Sequence, residues 1–276
     1  MSYPLAKLSY GLRCHLNDLT TPVERYNLQI AAGGASFGPP KLQTFREPII
    51  NPKFLCKNGI VLKYIEAGQL IEVTEADGLA MCKNVIHLRD CDIQALKSEL
   101  FGHFLFQANH VQLSACSISN TFYKTLGFMM PKTKNISILG YRKARKSHIL
   151  NLTHLLTAFP HLQRLCIEKC PISTNWMAEI QKVRKRSLMD LTIHSDCLED
   201  CGDIDYNKFL KFVKAQRRGF TLTIRRYSSD VQFKPQFLGL IPYLKEKLPQ
   251  GPVSPGKETN VYIKNGIEWH IWHVPV

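Results

Sequence analysis

Apolar positions along this chain follow a helical period at its start and a strand-like alternation further on. Between residues 3 and 32 leucines recur three or four apart (Leu5, Leu8, Leu12, Leu16, Leu19), the spacing that lines one side of a helix. Thr20-Thr21-Pro22 interrupts this stripe. Pro22 suits the first turn of a second helix, Thr21 can cap it with its hydroxyl, and Gly33-Gly34 ends it after Ala32. The stretch from Gly33 to Pro52 is rich in Gly and Pro and reads as a linker. Two β-rich runs follow, Ile60–Ile65 and Leu70–Thr74, with Glu66-Ala67-Gly68 between them, which predicts a hairpin.

From about Cys82 to Arg226 one pattern repeats. Leu88-x-x-Cys91-x-Ile93, Leu113-x-x-Cys116-x-Ile118 and Ile167-x-x-Cys170-x-Ile172 are full copies. Weaker ones begin at Ile138, with Tyr141 in the cysteine's place, and at Ile193; the period is about 26 residues. Each copy opens with a short alternating run, which predicts strands near 86–88, 111–113, 136–138, 165–167 and 191–193. Gln112, Ser137, Cys166, Thr192 and Thr223 then fall on the side away from the core. Helices are predicted between the strands: Ala95–Ala108, Thr121–Met130, His148–Phe159 capped by Ser147, and Trp176–Lys185 capped by Ser173 or Thr174. A further one, Tyr206–Arg218, is capped by Asp205 and closed by Gly219. In the tail, Pro235–Leu248 reads as a helix kinked or split at Pro242, and Val261–Trp272 as a hairpin turning at Asn265-Gly266.

Phe159-Pro-His-Leu162-x-x-Leu165-x-Ile167-x-x-Cys170-x-Ile172 resembles the leucine-rich repeat family in its cysteine-containing variant. That resemblance implies an α/β fold, a short irregular leucine-rich-repeat solenoid with parallel strands concave and helices convex. A helical segment precedes it and a β-hairpin closes it. The divisions expected are 1–45, a helical segment and linker; 46–80, a connecting hairpin or cap; 81–230, the repeats; and 231–276, a closing helix and hairpin.

Composition narrows the function classes. An apolar fraction of 45% against 21% charged residues supports a sizeable core and argues against general disorder. The opening residues lack a basic start followed by an apolar run, and no stretch nears the ~20 apolar residues of a membrane span. The expectation is a cytoplasmic or nuclear address, no membrane partner, and thiols kept reduced. The nine cysteines track the repeat rather than a disulfide framework. A thiol at the repeat position is small, accepts burial and offers a weak hydrogen bond to the backbone leaving the strand. Cys166-x3-Cys170 and His194-x2-Cys197-x3-Cys201 come nearest to zinc spacing, but Cys170 belongs to the repeat and no Cys-x2-Cys pair exists. Motifs for nucleophilic, phosphate-cradling or metalloprotease chemistry are missing, so no catalytic, cofactor-binding or metal-binding residue is assigned.

The charge is uneven. Of the net +14, half lies between residues 141 and 190, in Arg142-Lys143-Ala144-Arg145-Lys146 and Lys182-Val183-Arg184-Lys185-Arg186. Arg142, Lys143, Arg145, Lys146, Arg184, Lys185 and Arg186 form a candidate patch for an acidic protein target; nucleic acid is the alternative, although no aromatics interleave these runs.

Pro4-Leu5, Leu12-x3-Leu16-x2-Leu19 and Arg25-x2-Leu28 resemble an F-box, and the order of F-box then cysteine-type repeats is similar to the expanded F-box-like families of nematodes. The pair at the start is Pro-Leu rather than Leu-Pro, and Ala31-Ala32-Gly33 stands where that motif carries a tryptophan. The resemblance implies that Pro4, Leu5, Leu8, Leu12, Leu16, Leu19 and Leu28 dock a Skp1-type adaptor, which joins a cullin ligase. The chain would then be a non-enzymatic substrate-recognition subunit of an SCF-type ubiquitin ligase. The rival readings are an amphipathic cap on a recognition scaffold without ligase coupling, and a basic nucleic-acid-binding protein.

Overall fold

Alternation along the repeated strands decides what the core contains. The computed structural model describes residues 7–32, 43–44, 48–57, 60–64, 70–72, 79–140, 149–183, 187–198, 204–225, 235–251, 258–265 and 267–275. The chain is a mixed α/β protein with mostly parallel strands, and it divides into two units, Met1–Asn109 and His110–Val276. That division falls inside the span expected as one repeat region.

The first unit opens with α1 (Tyr10–Leu19) and α2 (Pro22–Ala31). The capping expected at Thr21 is present as a reciprocal box. Thr21 Oγ1 accepts the Glu24 N–H at 3.3 Å, and Glu24 Oε2 accepts the Thr21 N–H at 2.8 Å. Leu8 lies before α1 begins, so the leucine stripe is not carried by one helix.

Strands β1 (Ile49–Ile50), β2 (Lys53–Lys57), β3 (Ile60–Tyr64), β4 (Leu70–Glu72), β5 (Ala80–Lys83) and β6 (Val85–Arg89) follow. The hairpin expected over 60–74 appears as β3 and β4, Leu62 opposite Glu72. On the other side of β3, β2 pairs antiparallel to it, and β6 pairs parallel to β2. A short α3 (Ile93–Leu96) starts at Asp92, whose Oδ1 accepts the Ala95 N–H at 2.8 Å. The helix expected over Ala95–Ala108 is not formed: α3 stops after one turn, a 3-10 turn covers Glu99–His103, and β7 (Phe104–Phe106) is a strand parallel to β5. The reason is aromatic packing. Phe101, Phe104 and Phe106 are drawn around Phe54 with ring centroids 5.6, 4.8 and 6.3 Å away, and a two-residue alternation delivers Phe104 and Phe106 to that cluster.

Cys56 at the end of β2 and Cys91 just beyond β6 form a disulfide with Cα atoms 5.0 Å apart. This corrects the expectation that the cysteines stay reduced and serve only as markers of register. The parallel pairing of β2 with β6 sets Leu55 opposite Arg89, and the two chains leave the sheet side by side. Sequence spacing carries no trace of that neighbour.

The second unit repeats strand and helix: β8 (His110–Ser114), α4 (Asn120–Met129), β9 (Asn135–Leu139), α5 (Leu152–Ala158), β10 (Arg164–Glu168), α6 (Trp176–Lys182), β11 (Asp190–His194), α7 (Tyr206–Lys214), β12 (Thr221–Arg225), α8 (Pro235–Lys247), β13 (Thr259–Asn265) and β14 (Glu268–Val274). Strands β8 to β13 pair parallel in chain order, and β14 returns antiparallel to β13. Parallel neighbours need crossovers, and a helix sits in each of the first five. The strands expected near 111–113, 136–138, 165–167 and 191–193 are β8 to β11; the one near 86–88 is β6 of the first unit.

Register lines the inward residues into rows. Val111, Ile136, Leu165, Leu191, Leu222, Val261 and Trp272 form one, and Leu113, Ile138, Ile167, Ile193, Ile224 and Ile263 the next. All are buried. At about 1.5–3 kcal/mol for each such side chain, these rows are the main drive for folding this unit.

Helix caps follow local chemistry. Ser119 Oγ accepts the Phe122 N–H at 3.1 Å and Asp205 Oδ1 the Lys208 N–H at 3.0 Å. The cap expected at Ser147 lies outside the described residues; α5 is capped by Asn151, which accepts the His154 N–H at 2.9 Å. Buried Glu179 reaches over from α6 to accept the Leu152 N–H at 2.8 Å, which satisfies a second donor at that helix start. Neither Ser173 nor Thr174 caps α6, which begins just after Asn175; Ser173 Oγ instead accepts the Asn175 N–H at 3.1 Å. Helix α7 ends at Lys214, four residues earlier than expected, and Gly219 takes its positive φ of 78° beyond the helix. Helix α8 runs through Pro242 as one element rather than two. The final hairpin pairs Asn265 with Glu268, so its two-residue connection is Gly266-Ile267, one position later than Asn265-Gly266.

Candidate functional site

The side of the β8–β14 sheet opposite the inward rows is the candidate site. Its central row runs Gln112, Ser137, Cys166, Thr192, Thr223, Tyr262 and Ile271, all half-buried. Flanking it are His110, Asn135, Arg164, Asp190, Thr221, Asn260 and His273. The five outward positions expected from the repeat thus share one row. A sheet with one apolar and one polar side arises directly from the two-residue period.

The polar groups on this face are tied to one another. His110 Nε2 lies 3.1 Å from Ser137 Oγ, and Thr192 Oγ1 donates to Asp190 Oδ1 at 3.4 Å. Arg225 Nε donates to His194 Nε2 at 2.8 Å, which requires a neutral acceptor nitrogen there. Burial lowers the His110 pKa and raises that of Asp190, the latter opposed by the Thr192 hydroxyl and by Arg164 and Arg225. Burial likewise raises the Cys166 thiol above its usual range, with Arg225 as the main opposing influence. A thiol held protonated is a poor nucleophile.

The cysteines first weighed as metal ligands are spread out. Cys166 is on the outer face, Cys170 is buried, and the buried Cys197 thiol donates to Ile167 O at 3.5 Å; Cys201 lies outside the described residues. Among the described residues no group of three His, Cys, Asp or Glu side chains is placed to hold a metal ion. A cavity of about 140 Å³ opens where β8, β9 and β10 end, lined by Leu113, Ile118, Ile138, Gly140, Cys170 and Pro171 among others. It is smaller than the roughly 300 Å³ at which small-molecule sites begin.

The residues expected to dock an adaptor are split by the structure. Pro4 and Leu5 lie outside the described residues. Leu12 is 57% exposed and Leu19 70%, whereas Leu8, Leu16 and Leu28 are half-buried. No side chain of α1 is buried. Thr21 packs on Gly102, where an added Cβ would sit 3.0 Å from the threonine side chain. Arg25 Nη1 donates to Asn17 O at 3.3 Å and joins the two helices. Arg142, Lys143, Arg145, Lys146, Arg184, Lys185 and Arg186 all lie outside the described residues.

One group escaped the sequence reading. Tyr262, Lys264 and Trp269 come together on the outer face: the two rings meet edge to face with centroids 6.3 Å apart, and Lys264 Nζ lies 5.2 Å from the Trp269 ring. The alternation of the closing hairpin held the signal, since it sets Trp269 and Trp272 on opposite sides. Trp272 is buried and Trp269 is 49% exposed.

Compared with known proteins, the chain matches no family model, no curated protein and no solved structure. Among the described residues no helix is long and apolar enough to cross a membrane.

Proposed function

We propose that the protein is a non-enzymatic bridging scaffold, in which a Skp1-type adaptor of a cullin ubiquitin ligase docks on the α1–α2 segment and the outer sheet face of the second unit engages a target. In this reading the strand–helix units of the second unit are leucine-rich repeats of a short solenoid. The observation that carries it is the exposure of Leu12 and Leu19 on a helix with no buried side chain. An amphipathic cap would turn that stripe inward, whereas a docking helix keeps it for a partner's groove. The outer sheet face supports the other half of the reading, because its row of half-buried side chains presents hydrogen-bonding groups such as Ser137 and Thr192.

The test is capture of a purified Skp1-type adaptor by the full chain. Binding is expected, with loss of at least about tenfold in affinity for Leu12→Asp combined with Leu16→Asp, since one leucine's burial alone is worth about 1.5–3 kcal/mol. Absence of binding, or binding indifferent to that double substitution, overturns the adaptor assignment and leaves a recognition scaffold without ligase coupling.

A further inference from the structure

The outer face changes character over its last three strands. Alternation sets Thr221, Thr223 and Arg225 of β12, Asn260, Tyr262 and Lys264 of β13, and Trp269, Ile271 and His273 of β14 on one side. Glu268 is the one carboxylate among the described residues of these strands. It goes to the opposite side with His270, whose Nε2 is 3.8 Å from its Oε2. Further back on the same face Asp190 and Glu168 provide negative charge. At this end there are two cations, two aromatic rings and several hydroxyl or amide groups; Glu258, just before β13, sets its Oε2 3.8 Å from His273 Nε2, and Asp190 on the neighbouring strand interacts with Arg225.

The rings are placed for use. Tyr262 braces Trp269 edge to face, and Lys264 sits over the indole ring. The bond from Arg225 to His194 holds the guanidinium against the sheet. Ile267, at the hairpin turn, is 94% exposed. A surface that pairs aromatic rings with cations matches a ligand that is flat, aromatic and anionic. Nucleobases linked by phosphates have that chemistry, and every base offers a face to stack. An acidic polypeptide supplies the charge without the rings, and a duplex keeps its bases within the stack.

We propose that the outer face of β12–β14 binds single-stranded nucleic acid, with bases stacked on Tyr262 and Trp269 and phosphates met by Lys264 and Arg225. The net charge of +14 draws such a polyanion toward the protein over distances longer than any contact. The basic runs at 142–146 and 184–186 lack interleaved aromatics in sequence; here the fold supplies aromatics beside other cations. This inference goes beyond the bridging reading and does not depend on adaptor docking.

The full chain is titrated into labelled uridine-rich RNA and thymidine-rich DNA single strands, and into the same strands annealed to their complements, with fluorescence anisotropy as the readout across a range of salt. Single strands are expected to bind more tightly than duplexes. Trp269→Ala and Tyr262→Ala should each weaken binding about 5- to 100-fold. Lys264→Gln should flatten the slope of log K against log salt by about 0.7. Trp176 and Trp272 are buried, so quenching of intrinsic fluorescence by unlabelled single strands reports Trp269. Trp269→Phe keeps a stacking ring and should retain most of the affinity while losing the quenching, which separates lost stacking from lost folding.

The proposal is overturned if single strands do not bind at low salt, or if duplexes bind equally well. It also falls if polyglutamate competes as effectively as an oligonucleotide, which would make the face one for acidic proteins. Binding that ignores Trp269→Ala and Tyr262→Ala but disappears on neutralising Arg184, Lys185 and Arg186 overturns it as well. These outcomes read residues 262 to 269, whereas the adaptor test reads Leu12 and Leu16, so either can fail alone.

Discussion

The residue just before each repeat cysteine takes a conformation the sequence pattern does not announce. Asp90, Ala115 and Lys169 have positive φ of 56°, 55° and 50°, each as the chain turns out of its strand. In the copy that lacks the cysteine the equivalent residue is Gly140, whose φ is not positive but where a Cβ would overlap the Lys169 carbonyl. The turn is shared: the Ala115 N–H donates to Leu139 O and the Gly140 N–H to Glu168 O, both at 2.8 Å. Alanine pays about 1–2 kcal/mol for left-handed backbone, partly offset by the extra freedom glycine brings to the unfolded chain. Ala115→Gly is therefore expected to stabilise the second unit by about 0.5–1 kcal/mol and raise its Tm by about 1–3 °C, as read by calorimetry. His110 gives a pH-dependent expectation. Burial lowers its pKa in the folded state, so below the usual value of about 6.5 the unfolded chain binds more protons than the folded one. Stability should fall as pH drops from 7 to 5, and fall less in His110→Gln; identical slopes in urea titrations of the two would refute the assignment.

At the scale of elements, strands were more legible than helices. An alternation of five residues with apolar residues at the second and fourth positions needs one buried side, and the sequence repeats it at Val111/Leu113, Ile136/Ile138, Leu165/Ile167, Leu191/Ile193 and Leu222/Ile224. Helix limits were less legible: Asn151 caps α5 through the His154 N–H, and α6 begins after Asn175 with no side-chain cap. The stretch Ala95–Ala108 was misread because its helical period coexists with a Phe104-x-Phe106 alternation, and only the aromatic cluster around Phe54 chooses between them. The Cys56–Cys91 disulfide belongs to this scale as well, since it ties β2 to the chain leaving β6 across 35 residues. Closing a loop of that length restricts the unfolded chain by roughly 3–4 kcal/mol. Cys56→Ser, Cys91→Ser and treatment with dithiothreitol should each lower the melting temperature of the first unit. The double variant should then be insensitive to the reductant; a melt that is unchanged throughout would show that the bond contributes nothing to stability.

For the whole molecule, the two proposed contacts fall on separate units. The first holds the exposed leucines of α1; the second holds the polar face and the Tyr262–Lys264–Trp269 group. The Leu12→Asp, Leu16→Asp variant is expected to lose the adaptor yet bind single strands with unchanged affinity, and Trp269→Ala to do the reverse. An anisotropy titration and an adaptor capture on both variants check this, and cross-loss in either would tie the two features together. The clusters at 142–146 and 184–186 fall outside the described residues, so the cations that matter to these expectations are the ones strand register places, Arg225 and Lys264.

The repeat of Leu-x-x-Cys-x-Ile determined by itself that short strands alternate with helical stretches and that one side of each strand is apolar. Periodicity is a local property, and burial of one face follows from it without knowing what lies across the space. Pairing between distant segments was decided only by the tertiary structure. It joined Cys56 to Cys91, gathered four phenylalanines around a core, and set Trp269 beside Tyr262 and Lys264. Such neighbours come from strand order and register, which depend on the packing of the whole sheet, and no short window of sequence contains them.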